Sequence, residues 1–488
     1  MPAPPEVSIV VPAYGAAEEL LQCLRSLIKH APANCTVTVV DDATPDDSVR
    51  VACESVLAGF PQLSYHRIEE NRGFVGACNF AFEHLRKPGA DLLLLNSDTE
   101  VTEGFLEEMQ GVLYLHDRHG VVTPRSNNAT IFSVPWSNRH MLPAAESYEL
   151  WKRIRELLPR YQVMPTAVGF CMLVKAEVLE RFGLFDEIYS PGYNEENDFV
   201  CRINRGGYSA IAANRAYVFH SERSSFGTRR RSLEIINSQT LADRYPEYDR
   251  KNAAYYEFLV DPVEIFAHLY APHRHRILFD LFDWPAERSE SSVFALGLFR
   301  EVSRLAGNDI ELFAGVRESQ TFFTNELAGQ QVYTDDPKAR MSFDLVFRPS
   351  QIFGWEEFSR MSRMAPRVSY LSLGLMGVRS DFLNSPARQI LFLKVAELSD
   401  CVFAVSEFAN ADFEAFYGTN MPMRVIPDGN LLPASGQPAQ PTPPYRQDSA
   451  QQYLAAFRET LTTEVDVNRL RIRWATLRML ESLPSLKG

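Results

Sequence analysis

The sequence predicts two α/β domains, each with a largely parallel sheet flanked by helices. Three observations predict this class. The chain of 488 residues is too long for one ordinary core. Hydrophobic residues make up 45% of it, as in globular proteins. Short apolar runs alternate with helix-period patterns in two separate series, and such alternation is typical of parallel strands joined by right-handed crossovers.

The first series begins at the N-terminus. Leu20, Leu24 and Leu27 lie on one face of a predicted helix, and residues 74–85 predict another. The predicted strands are Val7–Val11, Val37–Val40, Leu63–Ile68 and Leu92–Leu95. Because the carboxyl ends of parallel strands share one sheet edge, we expect four segments to converge there. They are Pro12-Ala13-Tyr14, Asp41-Asp42, Asn71-Arg72-Gly73 and Asn96-Ser97-Asp98.

The second series begins near Asp261. Residues 431–445 are rich in Pro, Gln, Ala and Ser and predict a linker, and the residues after them look helical. We therefore expect domains at 1–258 and 259–432, followed by a linker and helical segment at 433–488. The predicted strands are Arg276–Phe282, Ile310–Ala314, Phe343–Phe347, Val368–Leu373, Cys401–Val405 and Met423–Ile426, and the helices are Ser291–Leu305, Ser385–Leu398 and Glu407–Phe416.

Composition excludes several classes of protein. A net charge of −13 argues against a nucleic-acid partner, which requires a basic face. The seven cysteines form no CxxC pair, which indicates reduced, mostly buried thiols. No apolar run approaches the roughly 18 residues of a membrane span, and the first residues lack the pattern of a signal peptide. We expect a cytoplasmic protein.

Asp98 is the first candidate ligand. The motif Asn96-Ser97-Asp98 follows a buried-strand pattern directly, so its carboxylate should lie at the ligand-binding edge of the sheet. An Asp among small polar residues suits a hard divalent cation, which usually also binds substrate phosphates. The same motif is compatible with a helix cap, a common role for Asp. The motif alone leaves both interpretations open.

A second acidic cluster contains Glu195, Glu196 and Asp198 at a predicted helix start. The helix dipole stabilises carboxylates there, so they could simply be solvated capping residues. Alternatively, one of them faces the ligand edge as a general base. His220 ends a strand-like run, where its imidazole could complete a metal site or serve a structural role.

Taken together, these motifs resemble the family 2 glycosyltransferases, inverting enzymes with a GT-A fold. The resemblance covers roughly residues 6–226 and comprises six elements in the family's order. They are Val7–Tyr14, Val39–Thr44, Glu70–Asn79, Asn96–Thr99, Glu195–Tyr208 and His220. Asn96–Thr99 stands where the family has its DxD motif, with neutral Asn96 replacing the first Asp. Asn96 brings no charge, so metal affinity would rest on Asp98 and His220.

The resemblance implies a role for each matching residue. Asp98 and His220 would bind Mn²⁺ or Mg²⁺. Glu196 aligns best with the base that deprotonates the acceptor hydroxyl, with Glu195 and Asp198 as alternatives. Asp42 or its neighbour would accept from a pyrimidine N3–H, which favours uridine or thymidine nucleotides. The implied nucleotide-sugar site comprises Pro12, Tyr14, Asp41, Asp42, Arg72, Gly73, Asn79, Asn96 and Ser97.

The implied reaction moves a sugar, with inversion, from a UDP- or dTDP-linked donor to a hydroxyl of a glycan or lipid-linked acceptor. The resemblance suggests assembly of a bacterial surface polysaccharide or glycoconjugate, with peripheral contact at the inner face of the membrane. One rival is a glycan-binding scaffold whose first domain is a pseudoenzyme. The presence of Asp98, Glu196 and His220 argues against a pseudoenzyme, because an inactive site does not require these three side chains together. Another rival function is that of a nucleotidyltransferase. The absence of a Gly-rich, Lys-containing loop after the first strand argues against it.

The second domain resembles the Rossmann-like N-terminal half of a GT-B, family 4-like glycosyltransferase. The matching stretches are Ser399–Phe408 and Val425–Asn430. The nucleotide-binding half of such enzymes is missing, so we expect a non-catalytic domain that binds acceptor, packs on the first domain or forms a homo-oligomer. The alternative is that the chain belongs to a longer bifunctional polymerising enzyme.

Two further regions could bear on the substrate. Gly227–Arg231 contains three arginines and is either a solvated turn or a loop that meets a donor diphosphate or acceptor phosphate. Residues 125–136 and 169–172 are expected to shape the sugar pocket. Nothing in either segment specifies the sugar.

Overall fold

The computed structural model describes residues 5–135, 142–221, 229–258, 261–270, 274–284, 287–334, 341–375, 379, 385–418, 423–426 and 447–481. The chain divides into two compact units, Met1–Tyr270 and Ala271–Gly488. The linker predicted at 431–445 lies outside the described residues. The predicted domain limits at 258/259 and 432/433 remain predictions.

The first unit contains a mixed sheet surrounded by helices. Its strands are β1 Val7–Ala13, β2 Cys35–Asp41, β3 Leu63–Arg67, β4 Asp91–Leu95, β5 Thr99–Val101, β6 His119–Arg125, β7 Tyr161–Met164, β8 Cys171–Val174 and β9 Ser209–His220. Its helices are α1 Ala17–His30, α2 Ser48–Leu57, α3 Gly73–His84, α4 Phe105–Leu113, α5 Ala144–Ile154, α6 Ala176–Phe182, α7 Glu195–Arg205, α8 Arg229–Arg244, α9 Tyr248–Phe258 and α10 Pro262–Tyr270.

The strand order of this sheet is β3-β2-β1-β4-β8-β6-β9-β5, and β7 also pairs with β9. Strands β1 to β4 are mutually parallel, and β6 runs parallel to β9. Strand β8 is antiparallel to both of its neighbours, β4 and β6. Strands β4 and β9 consequently point the same way, so their carboxyl ends share one edge of the sheet.

Two apolar clusters cover the two faces of this sheet. Alternate residues of β1 divide between them, since Ile9 and Val11 belong to one and Val10 to the other. Burial on both faces explains why β4 appears in the sequence as a continuous apolar run and β1 nearly so. All seven cysteines are buried and unpaired, and burial raises the pKa of Cys35 to about 11. The predicted reduced, buried thiols are confirmed.

The second unit is built on a fully parallel sheet. Its strands are β10 His275–Asp280, β11 Ile310–Gly315, β12 Val332–Tyr333, β13 Leu345–Arg348, β14 Arg367–Ser372, β15 Cys401–Ala404 and β16 Met423–Val425. Its helices are α11 Glu290–Leu305, α12 Thr321–Glu326, α13 Trp355–Met364, α14 Pro386–Leu398, α15 Glu407–Tyr417, α16 Gln447–Thr462 and α17 Val467–Glu481.

The order β12-β11-β10-β13-β14-β15-β16 places the first strand of this unit beside its fourth. This is a doubly wound arrangement, in which the crevice between those two strands is the usual ligand site. Here Asp280 and Arg348, at the ends of β10 and β13, form a buried ion pair of 3.1 Å. Asp283 and Arg360 join the same cluster. The chain's own charged groups therefore occupy the crevice.

Helix α16 belongs to the core of the second unit, because Tyr453 and Phe457 pack with Phe347 and Phe403 of the sheet. The predicted helical character of the C-terminal segment is confirmed over α16 and α17. In the described parts of the chain, no helix combines the length and apolar character that crossing a bilayer requires.

Candidate functional site

The four segments predicted to converge do lie at one edge of the first sheet, since they follow the parallel strands β1 to β4. The first of them leaves β1 at Pro12 and ends at Tyr14, whose side chain is 56% exposed. The exposed ring beside the sheet edge is available to stack on a flat ligand group.

Asp41, at the end of β2, faces inward rather than toward a ligand. One carboxylate oxygen accepts hydrogen bonds from the Tyr65 hydroxyl at 2.6 Å and Arg67 Nη1 at 2.9 Å. The other accepts from the backbone N–H of Thr44 at 2.9 Å. Because the side chain is fully buried among these donors, Asp41 fixes the β2 loop and β3.

Asp42 binds the first turn of α3. Its two oxygens accept from the backbone N–H groups of Arg72 at 2.7 Å and Gly73 at 2.8 Å. Burial raises the pKa of Asp42, and these two N–H groups partly offset that effect. Gly73 has φ +71°, and a β-carbon there would lie 2.5 Å from Pro191 Cβ. Glycine at this position therefore allows the loop before α7 to approach α3 closely.

Asp98 meets His220 at the same edge. The turn Asn96-Ser97-Asp98 joins β4 to β5, and Thr99 of β5 pairs with His220 of β9. This pairing places Asp98 Oδ1 3.5 Å from His220 Nε2. A backbone bond of 3.1 Å from Ser221 N to Asp98 O supports the arrangement. The helix-cap alternative for Asp98 does not apply, because a strand follows it.

The ring of His220 is held in one orientation. Its Nδ1 lies 2.7 Å from the carbonyl oxygen of Asn128, which can only accept, so Nδ1 carries the proton. Nε2 is then the nitrogen on the side of Asp98, 3.5 Å from Oδ1. Phe170 stacks on the ring at 5.1 Å. A carboxylate and an imidazole lone pair that face each other suit a divalent cation, whose bonds to such ligands are about 2.0–2.2 Å long.

The pair would supply two ligands. Among the residues that the structure describes, no cluster of three or more His, Cys, Asp or Glu side chains could hold a metal ion. Oxygens of substrate or water would add further ligands to a cation at Asp98 and His220.

Glu195 and Glu196 begin α7, and their surroundings differ. Glu195 is only 6% exposed, and its Oε2 is buried without a hydrogen-bond partner among the described residues. Burial, together with the charge of Glu196, raises the pKa of Glu195 well above its usual value. Glu196 is half-buried, and burial raises its pKa to about 7. Burial therefore favours the protonated form of Glu195.

Asp198 is an ion-pair partner inside the fold. Its carboxylate is fully buried, with Arg202 Nε at 3.3 Å and Arg244 Nη1 at 3.2 Å. Arg202 also donates to the carbonyl groups of Phe182 and Leu184. The arrangement joins α7 to α8 and to the loop after α6, which is a structural task.

One loop connects the Asp98–His220 pair with the start of α7. In the segment between β7 and β8, Phe170 stacks on His220 and the Thr166 hydroxyl donates to the Asn197 side chain. Phe74 lies between this loop and the one before α7, because a β-carbon at Gly169 or Gly192 would lie 3.8 Å from it. The two acidic motifs thus border one region of the sheet edge.

Several predicted pocket residues have internal partners. The Asn79 side-chain amide exchanges two hydrogen bonds with the backbone of Phe185, at 3.0 and 3.1 Å. Arg125 is fully buried and donates to Asn214 and to the carbonyl of Ile131. Arg72 lies over the ring of Phe80 at 5.6 Å. Asn79 and Arg125 therefore support the fold rather than line an open pocket.

Sequence reasoning missed three asparagines that fix the site. Asn127 binds the backbone of His220 on both its N–H and C=O groups, and Asn128 fixes the His220 ring. Asn237, buried in α8, donates to the carbonyls of Tyr189, Gly192 and Tyr193 in the loop before α7. Isolated asparagines carry no local signal, because their partners are distant in sequence.

The remaining predictions near the site fall partly outside the described residues. Residues 227 and 228 of Gly227–Arg231 lie outside them, while Arg229 begins α8. Trp136, the last residue of the expected sugar-pocket segment, also lies outside.

Comparison with known proteins finds a family match within the first unit. Residues 8–183 match the model of glycosyl transferase family 2. This stretch contains Asp98 and ends before Glu195 and His220. Together with the mixed first sheet and the parallel second sheet, it confirms the predicted α/β class with a GT-A-like N-terminal part. The GT-B-like character predicted for the second unit is not confirmed. No curated protein sequence matches the chain.

Three solved structures illustrate the likeness. The mannosyltransferase PcManGT from Pyrobaculum calidifontis, in complex with GDP-Man and Mn²⁺, is 20% identical, covers 55% of this chain and 74% of its own, and has a TM-score of 0.39. GalNAc-T7 with UDP, GalNAc and Mn²⁺ is 16% identical over 53% and 51%, with a TM-score of 0.41. TarS 1-349 from S. aureus with UDP-GlcNAc is 17% identical over 54% and 80%, with a TM-score of 0.34.

Proposed function

We propose that the first unit is a metal-dependent, inverting glycosyltransferase that uses a nucleoside diphosphate sugar, UDP- or dTDP-linked, as donor. The observation that carries the proposal is the pair Asp98–His220, 3.5 Å apart, at the carboxyl edge of a sheet whose residues 8–183 match glycosyl transferase family 2. The acceptor is a hydroxyl of a glycan or lipid-linked glycan, in the assembly of a bacterial surface polysaccharide or glycoconjugate.

Asp98 and His220 would hold Mn²⁺ or Mg²⁺, with donor phosphate oxygens as further ligands. When bound, the cation supplies Lewis-acid stabilisation of the charge on the leaving nucleoside diphosphate. Tyr14 is placed to stack on the nucleotide base. Asp42 orders the backbone of Arg72 and Gly73 near the base, because its two carboxylate oxygens accept hydrogen bonds from their N–H groups.

Glu196 is the proposed general base. A base that works near neutral pH needs a pKa close to 7, and burial gives Glu196 such a value. Burial favours the protonated form of Glu195, which cannot accept a proton, and Asp198 is paired with two arginines. Glu196 takes the proton of the acceptor hydroxyl as the hydroxyl oxygen attacks the anomeric carbon. The attack comes from the face opposite the nucleoside diphosphate, so the configuration inverts.

The test is a screen of UDP-, dTDP- and GDP-sugars for Mn²⁺-dependent thermal stabilisation and for transfer or hydrolysis. We expect one donor class to stabilise the protein, and Asp98→Ala to remove the Mn²⁺-dependent part. The matched control is Glu100→Gln, an exposed carboxylate on β5 two residues from Asp98. Equal nucleotide binding by wild type and Asp98→Ala would refute the metal role. Binding of glycans without any nucleotide would instead favour the scaffold.

A further inference from the structure

We propose that the dipeptide Asn127–Asn128 positions His220 for cation binding, an inference that rests on the metal site of the proposed function. Asn127 and Asn128 follow β6, while His220 is the last residue of β9. Neither asparagine would touch the cation. Both would act by fixing where the His220 nitrogen lies and which nitrogen carries the proton.

The side chain of Asn127 makes the two backbone hydrogen bonds to His220 that a neighbouring strand would otherwise make. The regular pairing of β6 with β9 ends at Arg125 and Tyr217, three residues before His220. At His220, the Asn127 Oδ1 accepts from the backbone N–H at 2.9 Å and its Nδ2 donates to the backbone C=O at 2.9 Å. Strand β5 pairs with His220 from the other side. Both backbone edges of the residue are thereby held.

The backbone of Asn128 controls the ring. Its carbonyl accepts from Nδ1–H at 2.7 Å, which directs Nε2 toward Asp98. The loop that carries the carbonyl is fixed in turn, since Ser126 N donates to Phe132 O at 3.1 Å and Val134 N to Ser126 O at 2.8 Å. A metal-binding histidine usually donates its second N–H to such a partner, which sets the tautomer and raises ligand basicity.

The expected effect follows from that role. Loss of a partner that orients a metal ligand typically weakens metal affinity about 10–100-fold. Asn127→Ala removes both backbone bonds to His220 and frees the end of β9, so we expect Mn²⁺ affinity to fall within this range. The variant keeps Asp98, His220 and the carbonyl of residue 128.

The experiment measures Mn²⁺ binding by electron paramagnetic resonance of the free ion, with Mn²⁺ alone and with UDP present. Wild type, Asn127→Ala and Asp98→Ala are compared. The control is Gln320→Ala in the second unit, because the buried Gln320 amide likewise bonds to backbone groups, those of Leu281, Trp284 and Arg317. Gln320→Ala should retain wild-type Mn²⁺ affinity, even if it loses as much thermal stability as Asn127→Ala.

Wild-type affinity in Asn127→Ala would overturn the positioning role while leaving the metal site intact. No Mn²⁺ binding to the wild type, with or without UDP, would overturn the metal site and this proposal with it. A second measurement covers the case in which Asn127→Ala fails to fold. Histidine side-chain ¹⁵N NMR of the metal-free wild type, assigned with His220→Asn, should show the Nδ1–H tautomer. The Nε2–H tautomer would refute the proposal.

Discussion

The substitution Glu196→Gln separates the proposed base from its neighbour in one experiment. Glutamine keeps the size of the side chain and cannot accept a proton at neutral pH. If Glu196 is the base, transfer falls by about 10²–10⁴-fold, the usual contribution of general base catalysis. Glu195→Gln should retain most of the activity, because burial already favours the neutral, protonated form of Glu195.

The same substitution should stabilise the protein. Burial raises the pKa of Glu196 from 4.5 to about 7. The unfolded chain therefore releases its proton near pH 4.5, while the folded chain keeps it up to about 7. Stability is lost as pH rises through that window, by at most roughly 3 kcal/mol at 1.36 kcal/mol per pKa unit, less whatever solvent screens at this half-buried side chain. Glu196→Gln escapes this loss above pH 7.

The assay combines a pH profile of transfer with urea unfolding at pH 5 and pH 8. Wild type should show an activity limb near pH 7 and should lose stability from pH 5 to pH 8. Glu196→Gln should lose the activity and the part of the stability change that Glu196 contributes, while the part due to the buried Glu195 remains. The exposed Glu187→Gln should resemble wild type in both. Full activity in Glu196→Gln would refute its role as base. A Glu195→Gln variant without activity would transfer that role to Glu195.

Three further outcomes follow from the contacts. Gly73→Ala should lower both thermal stability and nucleotide binding, because the new β-carbon meets the backbone of Pro191 and φ is +71°. The expected loss in unfolding free energy is about 1–3 kcal/mol. A melting curve like that of wild type would contradict the close approach. Asp198→Ala should cost about 3–5 kcal/mol in chemical denaturation, because two arginines lose their buried partner. Arg348→Met should lower the unfolding free energy of the second unit by up to about 3–5 kcal/mol, and by less than that because Arg360 still pairs with Asp280. Nucleotide-dependent stabilisation of the first unit should stay at the wild-type level.

The strands of both parallel regions were accessible from sequence for a physical reason. Strands buried on both faces appear as continuous apolar runs, as Leu92–Leu95 within β4 shows. The same reasoning fails for β8, because Cys171–Val174 is an equally apolar run that lies antiparallel between β4 and β6. A short run contains no information on direction, which depends on the connection before it. The antiparallel pairing of β5 with β9, which brings Asp98 beside His220, was inaccessible for the same reason.

The candidate site shows a sharper limit. Asp98, Glu196 and His220 were proposed as site residues because Asp98 follows a strand, His220 ends one and Glu196 lies in the first turn of a helix. Asp41 and Asn79 have the same local appearance as ligand-binding residues, but their partners, Arg67 and Phe185, lie 26 and 106 residues away. Only the folded chain shows that these polar groups bind other parts of the protein. A sequence motif therefore identifies which residues meet at the edge, without showing which of them face outward.

The absence of charge on Asn96 affects how the proposed metal site would bind its cation. In the described part of the chain, the protein side of the proposed metal site comprises one carboxylate and one imidazole. A hard cation such as Mg²⁺ takes about six ligands, mostly oxygens, and in the proposed site diphosphate and water would supply further ones. We expect affinity for the cation to depend on the nucleotide more strongly than in a site with two aspartates. On this argument donor and metal would bind together, because Asn96 is neutral where the resemblance implies an acidic residue.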